Sequence, residues 1–166
     1  MPRVTAAPLT VRRANRSDAP TLAAMVNALN LHEEIDYAAH FTPEMILRDG
    51  FGERPAFSAL LATRGEHAVG YAFFHDIYNT DLGGRGLWLV DLYVDSAERS
   101  HGAGRALLAA VAQEAVASGA VSLWWGVRSS NARARTFYAT VGASDWDSRI
   151  LELDGAPLQR LAAEAL

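Results

Sequence analysis

Val94-Asp95-Ser96-Ala97-Glu98-Arg99-Ser100-His101-Gly102-Ala103-Gly104-Arg105 is the stretch on which the fold turns. Before it, Leu87 to Val94 is a nearly continuous apolar run that reads as a buried central strand. After it, Leu107, Leu108, Val111 and Ala115 recur at helical spacing between Gly104 and Ser118, and Gly119 supplies the stop. Glycines let the backbone come close to a ligand. The helix start adds unpaired N–H groups and the positive end of a dipole. Together these suit a phosphate or pyrophosphate, and Arg99 and Arg105 add charge. Other anion loops fit less well. A dinucleotide fingerprint needs Gly or Ala three places after Gly104, where Leu107 stands, and there is no Gly-Lys-Ser/Thr of a P-loop. Taken alone, the Gly-x-Gly also reads as a plain turn between strand and helix.

Toward the N-terminus, Asp81 to Gly86 is a glycine-rich turn, and Phe57 to Thr63 and Ala68 to His75 form an antiparallel hairpin across Arg64-Gly65-Glu66. Thr42-Pro43-Glu44 opens a short helix ending by Gly50. Ser17-Asp18-Ala19-Pro20 starts another, with a capping side chain, Pro in the first turn and Leu22, Met25, Val26 and Leu29 on one face. Between the two lies an acidic, aromatic loop, Leu31 to Tyr37. Leu9 to Arg13 is strand-like. Toward the C-terminus, Val121 to Val127 reads as a buried strand, Asn131 to Val141 as a helix, Trp146 to Leu153 as a final strand and Ala156 to Leu166 as a last helix. Strands and helices in this order predict an α/β chain with a mixed sheet, and with no linker or repeat, one domain over residues 1–166.

Half of the 166 residues are apolar, as in an ordinary globular protein, and nothing approaches the roughly 20-residue apolar run of a membrane span. Met1-Pro2-Arg3-Val4 leads into no apolar core of a secretion signal. The chain has no cysteine, which excludes disulfides, thiolate metal sites and a Cys nucleophile and fits a cytoplasmic setting. A net charge of −4 argues against nucleic acid as the main partner and is compatible with a cationic substrate. His32, His40 and His75 are scattered and lack metal-ligand spacing.

The run Leu92-Tyr93-Val94 followed by Arg99-x-x-Gly102-x-Gly104 resembles the acetyl-CoA pyrophosphate motif of the GNAT acetyltransferases. Downstream, Asn131 and Thr136-Phe137-Tyr138-Ala139-Thr140-Val141-Gly142-Ala143 resemble the family's Asn, Phe-Tyr and Gly-Ala helix end, at the right distance. Asp49 to Pro55, Asp91 to Val94 and Gly142 to Asp145 are similar to stretches of the branch containing spermidine/spermine (diamine) and thialysine N-acetyltransferases. The resemblance runs from about Leu9 to Leu153. It implies a GNAT-like, mostly antiparallel central sheet flanked by helices, acetyl-CoA as co-substrate, no metal, and a homodimer paired through C-terminal halves; Trp124, Trp125 and Trp146 read first as core packing and second as part of such an interface.

Carried onto these residues, Leu92, Tyr93 and Val94 line the pantetheine arm, and Arg99, Ser100, His101, Gly102, Ala103, Gly104 and Arg105 surround the phosphates. Ser100 stands where the family usually has Gly, and a serine takes positive φ less cheaply. Leu92 and Val94 also read as core. Tyr138 is the implied general acid, which would protonate the departing CoA thiolate; without the motif it reads as core filling. Asn131 bonds the cofactor arm or caps its helix. In the polyamine-acetylating relatives a carboxylate precedes the aspartate of this strand; here that position is Val90. Asp91 follows it, and strand alternation would turn it to the other face. Glu33, Glu34 and Asp36 are the implied amine-binding residues with Asp91, or else a solvated acidic loop. The expected activity is therefore acetylation of a primary amine on a small, cationic molecule (a diamine, polyamine or lysine-like amino acid). The alternatives are acetylation of a protein lysine or N-terminus, and a noncatalytic acetyl-CoA-binding sensor.

Overall fold

The computed structural model describes residues 7–35 and 39–165. They fall into two compact units that divide between Trp125 and Gly126. The first unit carries β1 (Leu9–Arg13), α1 (Ala19–His32), α2 (Pro43–Phe51), β2 (Ser58–Arg64), β3 (His67–Asn79), β4 (Gly84–Val94), α3 (Ala103–Ala117) and β5 (Ser122–Trp125). Its five strands lie in sequence order in one sheet. The β1–β2, β2–β3 and β3–β4 pairs are antiparallel, and β4–β5 is parallel. Short turns join β2 to β3 and β3 to β4, whereas α1 and α2 lie between β1 and β2; α3 is the crossover that the parallel pair requires.

Alternation sorts the side chains onto two faces. Ala59, Leu61, Tyr71, Phe73 and Tyr93 face α1 and α2, where Leu22, Ala23, Val26 and Ile46 close a buried cluster. Phe57 stacks on Phe73 with ring centroids 4.3 Å apart. Gly70 and Val94 face the other way, against Leu107 and Gly104 of α3. The loop between β4 and α3 therefore joins an inner strand to the helix covering one sheet face.

The expected α1 start needs one change. Asp18 occupies the N-cap position but makes no capping bond there. Its carboxylate accepts from Arg12 Nη1 and Nη2 at 2.7 and 2.8 Å and from the Asn15 N–H at 2.8 Å. The side chain that caps is Asn15, one short 3-10 turn earlier (Arg16–Asp18). The Asp18 carboxyl is held below the usual range by the Arg12 bonds and the Asn15 N–H, against an opposing push from burial. A lowered folded pKa contributes stability that is present above the unfolded value and lost as pH falls through the folded one. Asp18→Asn should cost about 2 kcal/mol at neutral pH. Thermal melts should show the gap between wild type and variant narrowing below about pH 4, the ordinary carboxylate range; a gap constant with pH would remove the ion pair from the explanation.

The second unit contains α4 (Ala132–Ala139) and α5 (Gly155–Ala162). The expected strand Trp146–Leu153 is not formed: these residues pair with no strand among those described. Asp147 adopts φ +47° within it, and Trp146, Ile150 and Leu151 are exposed. An apolar pattern marks a segment suited to a strand, but a strand also needs a ladder partner.

Candidate functional site

At the end of β4 the sheet opens. β5 pairs with β4 only from Gly86↔Ser122 to Leu89↔Trp125. From Asp91 to Val94, β4 is paired on the β3 side, and no described strand takes its other edge. Such an edge presents main-chain N–H and C=O groups to an extended ligand. The expected arm-binding residues Leu92, Tyr93 and Val94 lie on this stretch.

The loop after it is pinned at several points. Asp95 Oδ1 accepts from the Ala97 N–H at 3.1 Å and starts a 3-10 turn, Ser96–Glu98. Arg64, at the end of β2, donates from Nε to Glu98 Oε2 at 2.9 Å and from Nη2 to the His101 carbonyl at 3.4 Å. Arg99 Nε donates to the Val94 carbonyl at 3.1 Å, and its Nη1 is 3.3 Å from His32 Nε2. Arg99 thus ties the strand end and the end of α1 to the loop.

Ser100 has φ +69° and Gly102 φ +90°, after which Ala103 begins α3. The first internal bond of the helix is Ala106 N–H to the Gly102 carbonyl at 3.0 Å, so the N–H groups of Ala103, Gly104 and Arg105 have no carbonyl of their own helix to meet. A Cβ at Gly102 would meet nothing within 4 Å, and one at Gly104 only Val94 Cγ2 at 3.6 Å. Packing therefore leaves room beside both glycines at the helix start, where free N–H groups suit an anion.

Ser100 holds a positive φ, a region that glycine enters more cheaply. Left-handed backbone costs a side-chain-bearing residue about 1 kcal/mol, partly offset in a glycine variant by greater unfolded-chain entropy. Ser100→Gly should raise stability by about 0.5 kcal/mol, a gain of roughly 2 °C in Tm. An unchanged or lower Tm by calorimetry would show that the serine side chain compensates the strain.

β4 carries a bulge at Val90. Phe73 pairs with Asp91 and Phe74 with Leu89, so Val90 is the extra residue. Since Phe73 and Phe74 face opposite sides, so do Leu89 and Asp91. One step of the side-chain alternation is therefore lost between Leu89 and Asp91. Val90 is exposed, whereas Asp91 is half-buried on the α1 side and accepts from the Tyr71 hydroxyl at 3.1 Å. Burial raises the Asp91 carboxyl above its ordinary range; the Tyr71 bond opposes this and the charge of Glu33 adds to it. Burial likewise raises the Tyr71 phenol far above its ordinary value, with the Asp91 charge next. Tyr93 is raised by burial and Asp95 and lowered by Arg99.

The structure thus brings together Glu33, Asp91 and Tyr93, with the Arg99–Arg105 loop beginning one residue after Asp95 and its 3-10 turn. Glu34 sits just past α1 at φ +55°. Asp36 lies outside the described residues. In the second unit, the Asn131 side chain accepts from the Ala134 N–H at 3.0 Å and so caps α4. Tyr138 lies on that helix, half-buried, with its ring 5.2 Å from Phe137. Among the described residues no cluster of three His, Asp or Glu is placed to hold a metal ion, and no helix is long and apolar enough to cross a membrane. Two residues of this region carried no sequence signal. Arg64 is one basic residue at a strand end, and Tyr71 lies in an apolar run that reads as core.

Residues 24–143 match the Acetyltransferase (GNAT) family. The match runs across the boundary between the two units. The thialysine N-epsilon-acetyltransferase of Sus scrofa is 30% identical over 164 residues, covering 94% of each chain. The spermidine/spermine N(1)-acetyltransferase-like protein 1 of Homo sapiens is 29% identical over 83% of this chain and 21% of its own length. Among solved structures, an aminoglycoside acetyltransferase from an uncultured soil metagenomic sample superposes with a TM-score of 0.75 at 16% identity, over 89% of this chain and 97% of its own; at that identity the likeness is one of fold.

Proposed function

From the premise that this chain belongs to the GNAT family and is an acetyl-transferring enzyme, we propose that it moves acetyl from acetyl-CoA onto a primary amine of a small cationic molecule. Diamines, polyamines and lysine-like amino acids make up the acceptor class. In this reading the two units work as one acetyltransferase domain. Leu92, Tyr93 and Val94 hold the pantetheine arm, the loop from Arg99 to Arg105 takes the pyrophosphate, and the family resemblance assigns Asn131 to the arm and Tyr138 to protonation of the departing thiolate.

The observation that carries the acceptor class is the half-buried Asp91 carboxylate, which accepts from the neutral Tyr71 hydroxyl and has no ion-pair partner among the described residues; burial raises it most, and the charge of Glu33 adds to the rise. Such a site attracts a cation and holds an amine by its positive charge. Glu34 and Asp36 extend the same acidic stretch in sequence. The name of the Sus scrofa relative, a thialysine acetyltransferase, agrees with a lysine-like acceptor. Val90 removes one carboxylate from the strand and shifts preference from long polyamines toward shorter diamines or lysine-like amino acids.

The test is a panel of acetyl acceptors read as CoA thiol release, comparing kcat/KM for matched pairs with and without a distal amine, in wild type and Glu33→Gln. The chain contains no lysine, so thiol release without acceptor cannot arise from acetylation of its own ε-amines. The charged acceptor should be preferred, and Glu33→Gln should erase most of the preference. Equal use of both acceptors removes the acidic specificity element. Turnover of protein amines alone makes the enzyme a protein acetyltransferase, and acetyl-CoA binding without any turnover makes it a sensor.

A homodimer and a cytoplasmic setting remain part of this reading. The apolar, exposed segment around Ile150 and Leu151 suits a strand added to a second copy. Light scattering at micromolar concentration should give twice the 17.9 kDa chain mass; a monomer mass would remove the dimer.

A further inference from the structure

Tyr71 has its ring wholly buried beneath α1, between Phe73 at 4.6 Å and Tyr93 at 5.9 Å, centroid to centroid. Phenylalanine would fill the same space, so packing does not call for the hydroxyl. A buried phenol needs a partner, and this one donates to Asp91 Oδ2 at 3.1 Å. The bond leaves Oδ1 of the same carboxylate for another partner. Asp91 immediately follows the Val90 bulge and opens the Asp91–Val94 stretch of β4 whose outer edge no described strand covers. Glu33, at the end of α1, acts on both Asp91 and Tyr71; Tyr93 lies against Tyr71, and Arg99 acts on Tyr93 from the loop. Asp91 is thus a half-buried carboxylate, fixed by a neutral donor and facing a like charge. That arrangement is costly for an anion with nothing to bind and favourable for one that takes up an ammonium or a proton.

We propose that Tyr71 is a positioning residue that fixes the Asp91 carboxylate, and that Asp91 accepts the proton released by the attacking amine. This rests on the amine-acetylation reading above and assigns the proton acceptor that Val90, with no ionisable group, cannot be. The amine lone pair forms the C–N bond at the thioester carbonyl carbon. The C–S bond breaks and its electron pair leaves on the CoA sulfur. One N–H proton passes to Asp91 Oδ1 and from there to solvent, and the thiolate takes a proton separately, from Tyr138 in the reading above. The Tyr71 bond holds Oδ2 and fixes the direction in which Oδ1 points.

The experiment is the pH profile of kcat with a diamine acceptor, in wild type, Tyr71→Phe, Glu33→Gln and Asp91→Asn, with melts to confirm folding. The ionisation of the amine gives all four a shared limb near its own pKa, about 10. The acidic limb assigned to Asp91 should move up in Tyr71→Phe, because a bond favouring the carboxylate is lost. It should move down in Glu33→Gln, because a repelling charge is lost. In Asp91→Asn it should vanish, with kcat lowered about 10²-fold. A structural role for Tyr71 would lower activity without moving the limb. Wild type active on amines, with a limb unmoved in Tyr71→Phe and retained in Asp91→Asn, overturns the pair and leaves the amine reading standing. Wild type that acetylates no amine overturns both.

Discussion

Tyr138→Phe is expected to lower kcat by about 10²–10⁴ while leaving acetyl-CoA affinity within about twofold, the range for loss of a positioned acid. Aminolysis of a thioester expels a thiolate, and a phenol beside the sulfur can hand over its proton as the C–S bond breaks. Tyr138 lies on α4, half-buried, with Phe137 beside its ring and Asn131 capping the helix start. Phenylalanine keeps the ring contact and the helix, so only the proton donor is removed. The control is a melt of the variant, which should match wild type. The acidic limb assigned to Asp91 should persist in the variant, because that carboxylate answers to Tyr71 and Glu33. Single-turnover thiol release separates chemistry from product release. A variant at full speed in that assay would make Tyr138 structural and leave protonation of the thiolate to water.

Much of the first unit was legible in the sequence because its signals are local. The apolar run into β4, the glycine-bearing loop and the periodic face of α3 each occupy neighbouring residues, and the structure sets them where the pattern predicts. The hairpin β2–β3 was legible for the same reason, although β3 runs on to Asn79, past the expected His75. What pattern could not supply is register and pairing. The Val90 bulge depends on which β3 residue faces which β4 residue, and no local property of Leu89-Val90-Asp91 encodes that. The same holds for Trp146–Leu153, which reads as a strand and has no ladder partner among the described strands. Ser17-Asp18-Ala19-Pro20 promises a capping side chain, because Ser and Asp are good caps; the cation that claims Asp18, Arg12, sits on a strand whose position only the fold decides. Tyr71 stayed invisible because a phenol in an apolar run differs from phenylalanine only by what its hydroxyl reaches across the sheet.

The loop gives the second large effect. Replacing Gly104 with valine should weaken acetyl-CoA binding about 100-fold and leave the fold intact. Gly104 lies in the first turn of α3 with no positive φ to protect, and a Cβ there meets only Val94 Cγ2, at an ordinary 3.6 Å. A side chain is therefore tolerated by the protein itself, at the cost of a β-branched residue's modest helix penalty, about 0.5 kcal/mol. The added side chain crowds the first turn of α3, whose Ala103, Gly104 and Arg105 N–H groups would meet the pyrophosphate oxygens in the proposed reading. Losing two hydrogen bonds to a charged group, each about 1.5 kcal/mol, amounts to about 3 kcal/mol, or roughly 100-fold in Kd. Gly102 makes the contrasting variant. Its φ of +90° means that any side chain strains the backbone before a ligand is considered. Gly102→Val should thus lose stability as well as affinity, whereas Gly104→Val loses affinity alone. Calorimetric titration with acetyl-CoA and a melt of each variant read the two quantities separately. Wild-type affinity in Gly104→Val would move the pyrophosphate away from this helix start, and the open β4 edge would then need another reason to be open.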